Sequence, residues 1–332
     1  MPTALVTGAT GLVGSHIVER LQADGWSVRA LVRKPAAWLT SSGADCVRGD
    51  VLDADSFTSA SRGVDVIFHN AATITDSGDW EMYRRMNVGG TTNAIEAAAA
   101  SGARLVQMSS VAVYGGEARF RGPGAVTDEE TPLQPLAERE YYARSKRESE
   151  ALVMDAHASG RIWASAMRPD IIYGRRDRQC VPRVVTVLRL GVAPLIDGGR
   201  AILPIVHAAN VADGAVRAAS TDAAGGRAYN LANDYDVSMR EFFELGAEGL
   251  GRRVRFVNVP SRLAKRVLAG VAGVVRAATF GRVRLLGAGA FEIFTEDNPF
   301  TSERARRELG WSPVVHPRDG VPEAFRWWKT HH

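Results

Sequence analysis

The sequence predicts an α/β protein: a doubly wound parallel sheet followed by a smaller C-terminal mixed α/β domain. Three observations predict it. Short runs rich in β-branched residues alternate with longer helical stretches over the first two-thirds of the chain. Those runs are apolar along their length, as in strands covered on both faces. Beyond residue 180 the alternation gives way to an irregular mixture of elements. A chain of 332 residues is long enough for two domains at roughly 150 residues each.

Taken in order, the first strand is TALVT (3–7), followed by a glycine-rich turn and a helix over 11–24. Strands follow at 27–32, 45–49 and 64–69, then a helix over 80–101 and a strand over 104–109. A helix over 139–160 leads into the strand IWASAMR (162–168). Later come a short helix near 183–190, the segment AILPIVH (201–207), and helices over 210–220 and 238–249. AYNLA (228–232) and RVRFVNV (253–259) complete the expected strands. This division places residues 1–174 in the first domain, with 208–232 returning to it, and 175–207 with 233–332 in the second. Ligands of such folds bind at the carboxyl ends of the parallel strands, so the cleft between the two parts is the expected site.

Composition narrows the classes. The chain is 45% hydrophobic and 23% charged with a formal net charge of +4, which describes a globular protein. The basic excess is local: residues 251–286 hold nine Arg or Lys and no acidic residue. No aromatic-interleaved or finger-like motif accompanies that charge, so no nucleic-acid partner is predicted. Cys46 and Cys180 fit no metal-ligand spacing, and no metal is predicted. The start, MPTALVTG, has no basic leader, and no uncharged apolar run reaches the roughly 18 residues of a membrane span. A cytoplasmic location is expected.

Gly8, Gly11 and Gly14 fall between the first strand and the first helix. Glycines there permit a tight turn and let the backbone approach a pyrophosphate at the helix N-terminus. A dinucleotide is therefore the expected ligand. Sites for NAD usually carry an acid at the end of the second strand, about 20 residues on. This chain has Val32, Arg33 and Lys34 instead. Arginine can hold a 2′-phosphate through a charge-assisted contact, which favours NADP while leaving NAD open. In EYYARSKRESE (140–150), Tyr142 and Lys146 lie four apart and share a helical face, whereas Tyr141 points elsewhere. An ammonium beside a phenol favours the phenolate and so prepares the tyrosine for proton transfer near neutrality.

With TGATGLVG, YYARSK and MSSVAVYG (108–115) in place, the chain resembles the extended short-chain dehydrogenase/reductases of the NAD-dependent epimerase/dehydratase family. FHNAA (68–72), RPDIIYG (168–174) and ARRELGWSP (305–313) extend the likeness over nearly the whole length. The resemblance implies a Rossmann-type nucleotide-binding domain and a substrate-binding domain. It also implies roles. Tyr142 is the catalytic acid/base, and Lys146 lowers its pKa and holds the nicotinamide ribose. Ser110, in preference to Ser109, orients the substrate oxygen; Asn87 supports a proton path to the lysine, and Asp50 contacts adenine. A homodimer formed by helices around 82–101 and 140–158 is a further family expectation.

The reaction implied is interconversion of a ketone and a secondary alcohol. SSVAVYG lacks the acids of the family's dehydratases. The arginine that many sugar-nucleotide epimerases use to grip a diphosphate is absent around Leu203 and Pro204, although Arg200 lies close in sequence. Residues 260–280 place Arg262, Lys265, Arg266 and Arg276 on one face of a helix that is otherwise small and apolar. This resembles the 3β-hydroxysteroid dehydrogenase and dihydroflavonol-reductase branch and favours a steroid-, flavonoid- or ketide-like substrate. The segment reads equally as a lid, a packing helix or a peripheral membrane contact. Cys180, Tyr173 and Trp80 are candidates for the pocket wall. A sugar-nucleotide epimerase is the alternative activity, and a non-catalytic NADP-binding redox sensor the alternative of another class.

Overall fold

The computed structural model describes residues 1–34, 36–74, 78–116, 124–232, 234–266 and 291–332. Its centre is a seven-stranded parallel sheet. The strands are β1 (Thr3–Thr7), β2 (Ser27–Val32), β3 (Asp45–Arg48), β4 (Val66–His69), β5 (Arg104–Met108), β6 (Ala164–Pro169) and, later in the chain, β10 (Ala228–Leu231). Their order is β10-β6-β5-β4-β1-β2-β3, so the chain runs outward from β1 in one direction and then returns to build from β4 in the other. The reversal between β1 and β4 opens a crevice at the carboxyl edge of the sheet.

Strand pleating sends alternate residues to opposite faces. In β1, Ala4 and Val6 face one cluster and Leu5 the other. The first cluster joins α1 (Leu12–Ala23) to α8 (Ala208–Ser220), takes Leu39 from α2 (Ala37–Ser41) and includes Trp311. The second receives Phe57 of α3 (Ala54–Ser61), the alanine-rich face of α5 (Gly90–Ser101) and Val153 of α6 (Tyr141–Ala158). Small side chains on α5 let it lie close to the sheet; Ala94, Ala97 and Ala98 are buried.

A third cluster surrounds two short parallel pairs. β7 (Ile171–Tyr173) pairs with β9 (Ile205–His207), and β8 (Val192–Ile196) with β11 (Arg255–Val259). Helices α7 (Cys180–Leu188), α9 (Met239–Leu250) and α11 (Pro317–His331) enclose them, with Phe242, Phe243 and Phe325 at the centre. A seven-residue helix α10 (Glu303–Leu309) sends Ala305 and Leu309 into the first cluster.

The helix expected over 80–101 contains a π-helical stretch, Arg84–Gly89, between α4 (Trp80–Tyr83) and α5. The helix expected near 183–190 begins earlier, at Cys180, because Asp177 accepts the backbone N–H groups of Gln179, Cys180 and Val181. Among the described residues no helix is long and apolar enough to cross a membrane. The helix expected over 260–280 is helical through Arg266, and 267–280 lies outside the described residues.

Candidate active site

The β1–α1 turn is shaped for close approach. Gly8 has φ +64, and a Cβ there would sit 3.0 Å from the backbone nitrogen of Ala71. A Cβ on Gly14 would meet the Gly8 carbonyl oxygen at 2.3 Å. Gly11 caps α1 without a side-chain hydrogen bond, and the first turn carries no acid. The helix therefore presents backbone N–H groups and the positive end of its dipole with nothing in the sequence to neutralise them. These features fit a dinucleotide pyrophosphate.

Thr7 ties this turn to the end of β4. Its hydroxyl accepts the backbone N–H groups of Asn70 and Ala71, both at 3.1 Å, and lies 3.0 Å from Nδ1 of His69. With both lone pairs engaged, the hydroxyl is left to donate to Nδ1, which puts the imidazole proton on Nε2. That Nε2 is buried without a partner. Burial and the nearby Lys146 ammonium push His69 down to about 3, so the ring is neutral.

Lys146 itself is buried, and its Nζ donates to the Met108 carbonyl at 2.8 Å. Burial pushes its pKa down to about 8, against the opposing charge of Glu150. The ammonium stands 5.9 Å from the centre of the Tyr142 ring, one helical turn earlier on α6. Tyr142 is half-buried and meets the Tyr83 ring edge-on, with centroids 6.4 Å apart. Tyr141 faces another way, as expected from its phase: its ring neighbours Trp80, over which Arg144 stacks at 3.8 Å.

The π-helical stretch turns Asn87 inward, the kind of local irregularity found at functional sites. Its Nδ2 donates to Ser145 Oγ at 2.9 Å and to the Thr73 carbonyl, while Oδ1 accepts the Thr73 N–H at 2.7 Å. Asn87 thus links the segment after β4 to the helix bearing Tyr142 and Lys146. Ser110 follows β5 and caps a 3-10 turn, Val111–Tyr114, accepting the Ala112 N–H at 3.2 Å. That bond leaves its hydroxyl hydrogen uncommitted.

Ser109 is engaged elsewhere. Its hydroxyl donates to Glu150, whose carboxylate is held by Arg168 in a fork of contacts at 2.5–3.1 Å. Arg168 also donates to the Tyr114 hydroxyl at 2.8 Å, and Tyr114 donates to Asn230 Oδ1 at 2.9 Å. From α6, Arg147 donates to the Val113 carbonyl. The segment carrying Ser110 is therefore gripped on both sides: at Met108 and Ser109 before it, and at Val113 and Tyr114 after it. Sequence reasoning missed this network. Its only local signal was Glu150 standing four residues after Lys146.

Two expected sites lie farther along the same carboxyl edge. Asp50 is half-buried just beyond β3, with Oδ1 accepting the Leu52 N–H at 3.0 Å. Arg33 is exposed beyond β2, and no hydrogen bond or ion pair engages it among the described residues. The pocket-wall candidates divide: one is sealed in the core and two are partly exposed. Tyr173 is fully buried between His207 and Phe242, a core position that no ligand reaches. Trp80 is half-buried, with the Arg144 guanidinium stacked over its ring. Cys180 lies in the wall of the third cluster, and burial raises its thiol.

Comparison with known proteins bears on this geometry. Residues 4–232 match the profile of the NAD dependent epimerase/dehydratase family. The chain belongs to that family. It is an NAD(P)-dependent dehydrogenase/reductase of the extended short-chain type. A 4-hydroxy-2-methyl-3-oxo-4-farnesyl-3,4-dihydroquinoline-1-oxide ketoreductase of Stigmatella aurantiaca is 31% identical, over 95% of this enzyme and 93% of that protein. A 3 beta-hydroxysteroid dehydrogenase/Delta 5-->4-isomerase of Mycobacterium tuberculosis is 29% identical, over 97% and 89%. Among solved structures, gox2253 superposes with a TM-score of 0.77 at 26% identity, covering 100% of this enzyme and 99% of that chain. MoeE5 in complex with UDP-glucose and NAD gives 0.72 at 24% identity, covering 99% of each, and shares the fold.

Proposed function

We propose that the enzyme reduces a ketone on a hydrophobic small molecule, or oxidises the matching secondary alcohol, with NADP as the preferred cofactor. The observation that carries this reading is the buried Lys146 ammonium one turn below Tyr142, beside a segment that holds the Ser110 hydroxyl. In this reading the substrate oxygen accepts hydrogen bonds from Ser110 and Tyr142. The reduced nicotinamide, when bound, supplies the hydride to the carbonyl carbon. Tyr142 gives its phenolic proton to the oxygen, and the Lys146 positive charge stabilises the phenolate left behind. Oxidation runs the same transfers backwards, with Tyr142 as base. Asn87 keeps α6 in register with the segment after β4, and Asp50 and Arg33 serve the adenosine end.

Two observations favour an apolar ketone over a sugar nucleotide. Ketoreductase and hydroxysteroid dehydrogenase relatives align over nearly the whole chain. Leu203 and Pro204 are buried and neither is a cation, the exposed Arg200 being the nearest one in sequence, whereas a diphosphate placed there would need a cationic partner to offset its desolvation. The test is consumption of NADPH and of NADH against a panel of ketones, steroids, flavonoids and UDP-sugars, beside calorimetry with UDP. Turnover of hydrophobic ketones supports the assignment. Micromolar UDP binding would overturn the substrate class, and absence of redox turnover across the panel would favour the sensor.

A further inference from the structure

The small β8–β11 sheet presents an outer face unlike the rest of the surface. In the parallel register Arg255 stands beside Val192 and Val257 beside Pro194, all four exposed, while Ala193, Leu195 and Phe256 turn inward to the third cluster. The preceding turn adds Leu190, 77% exposed, next to Gly191, whose carbonyl accepts the Arg255 N–H. Arg252 reaches across to the Arg189 carbonyl. The chain then leaves β11 into a short helical stretch where Arg262, Leu263, Lys265 and Arg266 are all exposed.

The cations here stand without ion-pair partners among the described residues. Several arginines elsewhere find carboxylates: Arg20 pairs with Asp213, Arg161 with Glu96, Arg168 with Glu150 and Arg175 with Glu19. Among the described residues none of Arg252, Arg253, Arg255, Arg262, Lys265 and Arg266 forms an ion pair. Asp197, an acid at this end of the sheet, has its Oδ1 taken up by the Ser261 N–H. Unpaired like charges repel one another, so the face gains from any anionic partner brought against it. The apolar residues between the cations select among such partners. They are aliphatic, and the aromatic residue of β11 points into the core. Nucleic-acid grooves use aromatic platforms to stack bases, whereas exposed aliphatic groups gain by entering an acyl-chain boundary.

We propose that the β8–β11 face rests on an anionic phospholipid surface, with Leu190, Val192 and Val257 entering the headgroup layer and the flanking Arg and Lys side chains meeting lipid phosphates. The proposal stands apart from the catalytic reading, since none of these residues belongs to the candidate active site. Cationic side chains beside an anionic leaflet add attraction that salt weakens, while the aliphatic contribution survives salt.

The experiment is co-sedimentation of the full-length protein with vesicles of phosphatidylcholine alone or of phosphatidylcholine with phosphatidylglycerol, at low and raised salt. The expected result is at least tenfold stronger partitioning onto the phosphatidylglycerol vesicles. R253E/R255E should abolish that preference, and L190S/V257S should weaken binding severalfold at raised salt. Both variants should keep the wild-type melting temperature and cofactor binding. No partitioning, or equal partitioning onto neutral vesicles, overturns the proposal. Binding that L190S/V257S leaves unchanged, and that heparin or DNA matches in affinity, would identify a general polyanion surface instead.

Discussion

Tyr142 depends on a single oxygen for the proposed chemistry. Replacing it by phenylalanine keeps the ring and its edge-on contact with Tyr83 but removes the proton donor. General acid–base groups contribute about 10²–10⁴ in rate, so Tyr142→Phe should lose at least about a hundredfold in turnover while binding cofactor normally. Tyr141→Phe should be nearly silent, because Tyr141 neighbours Trp80 rather than Lys146. Equal losses in both variants would remove Tyr142 from its role. Arg33 poses a second question at this scale. Its guanidinium is exposed and uncommitted beyond the carboxyl end of β2, the place where a 2′-phosphate would lie. A charged hydrogen bond contributes about 1.5–3 kcal/mol, which is roughly ten- to hundredfold in affinity. Fluorescence titration should therefore show NADPH binding more tightly than NADH, and Arg33→Ala should close most of that gap through the NADPH arm. Equal affinities in the wild-type protein would show that Arg33 is merely solvated.

Elements differ in how far their own residues announced them. Helix α6 was legible because its residues run through a strong helical pattern and its Tyr–Lys spacing is local. Most of strands β1 to β6 were legible because their apolar runs are bounded by turns, β3 (DCVR) being the short, charged exception. Helix α3 passed unremarked: its ADSFTSAS is mostly small and polar, and it folds as a helix under the Asp53 cap, which accepts from Asp55 and Ser56. Strand β8 was equally hidden, since Pro194 argues against a strand until an edge position makes its missing N–H harmless. The Glu150–Arg168 pair was the least visible of all. Its partners lie 18 residues apart on a helix and a strand that meet only after folding. Both side chains are nearly buried, so removing one charge strands the other. Breaking such a pair costs about 3–5 kcal/mol, and Glu150→Gln should lose about that much in urea unfolding. Ser109→Ala, which leaves the ion pair intact, should lose about 1 kcal/mol. Comparable small losses in both would mean that the network contributes little to holding the Ser110 segment.

Across the whole molecule, buried histidines link the packing to pH. His69 lies where β4 meets the glycine turn, while His16 of α1 and His207 of β9 approach within 5.7 Å between ring centres. Burial lowers all three, with His69 and His207 each at about 3. Their rings are neutral in the folded chain but titrate near 6.5 once exposed. The unfolded state therefore binds more protons as pH falls through 6.5. For His69 and His207 the stability present above that pH is lost progressively towards folded values near 3. The carboxyls of Glu129, Asp177 and Asp234 are raised by burial and contribute the opposite slope nearer the acid end, so a bare stability curve mixes the two signs. A difference measurement separates them. His69→Asn keeps a side-chain acceptor towards Thr7 and removes one titrating imidazole. Between about pH 6 and pH 5 the wild-type protein should lose stability more steeply than this variant, by about 1 kcal/mol per pH unit. Parallel curves from urea unfolding over that range would mean that His69 is protonated in the folded protein, contrary to its placement between Thr7 and the Lys146 ammonium.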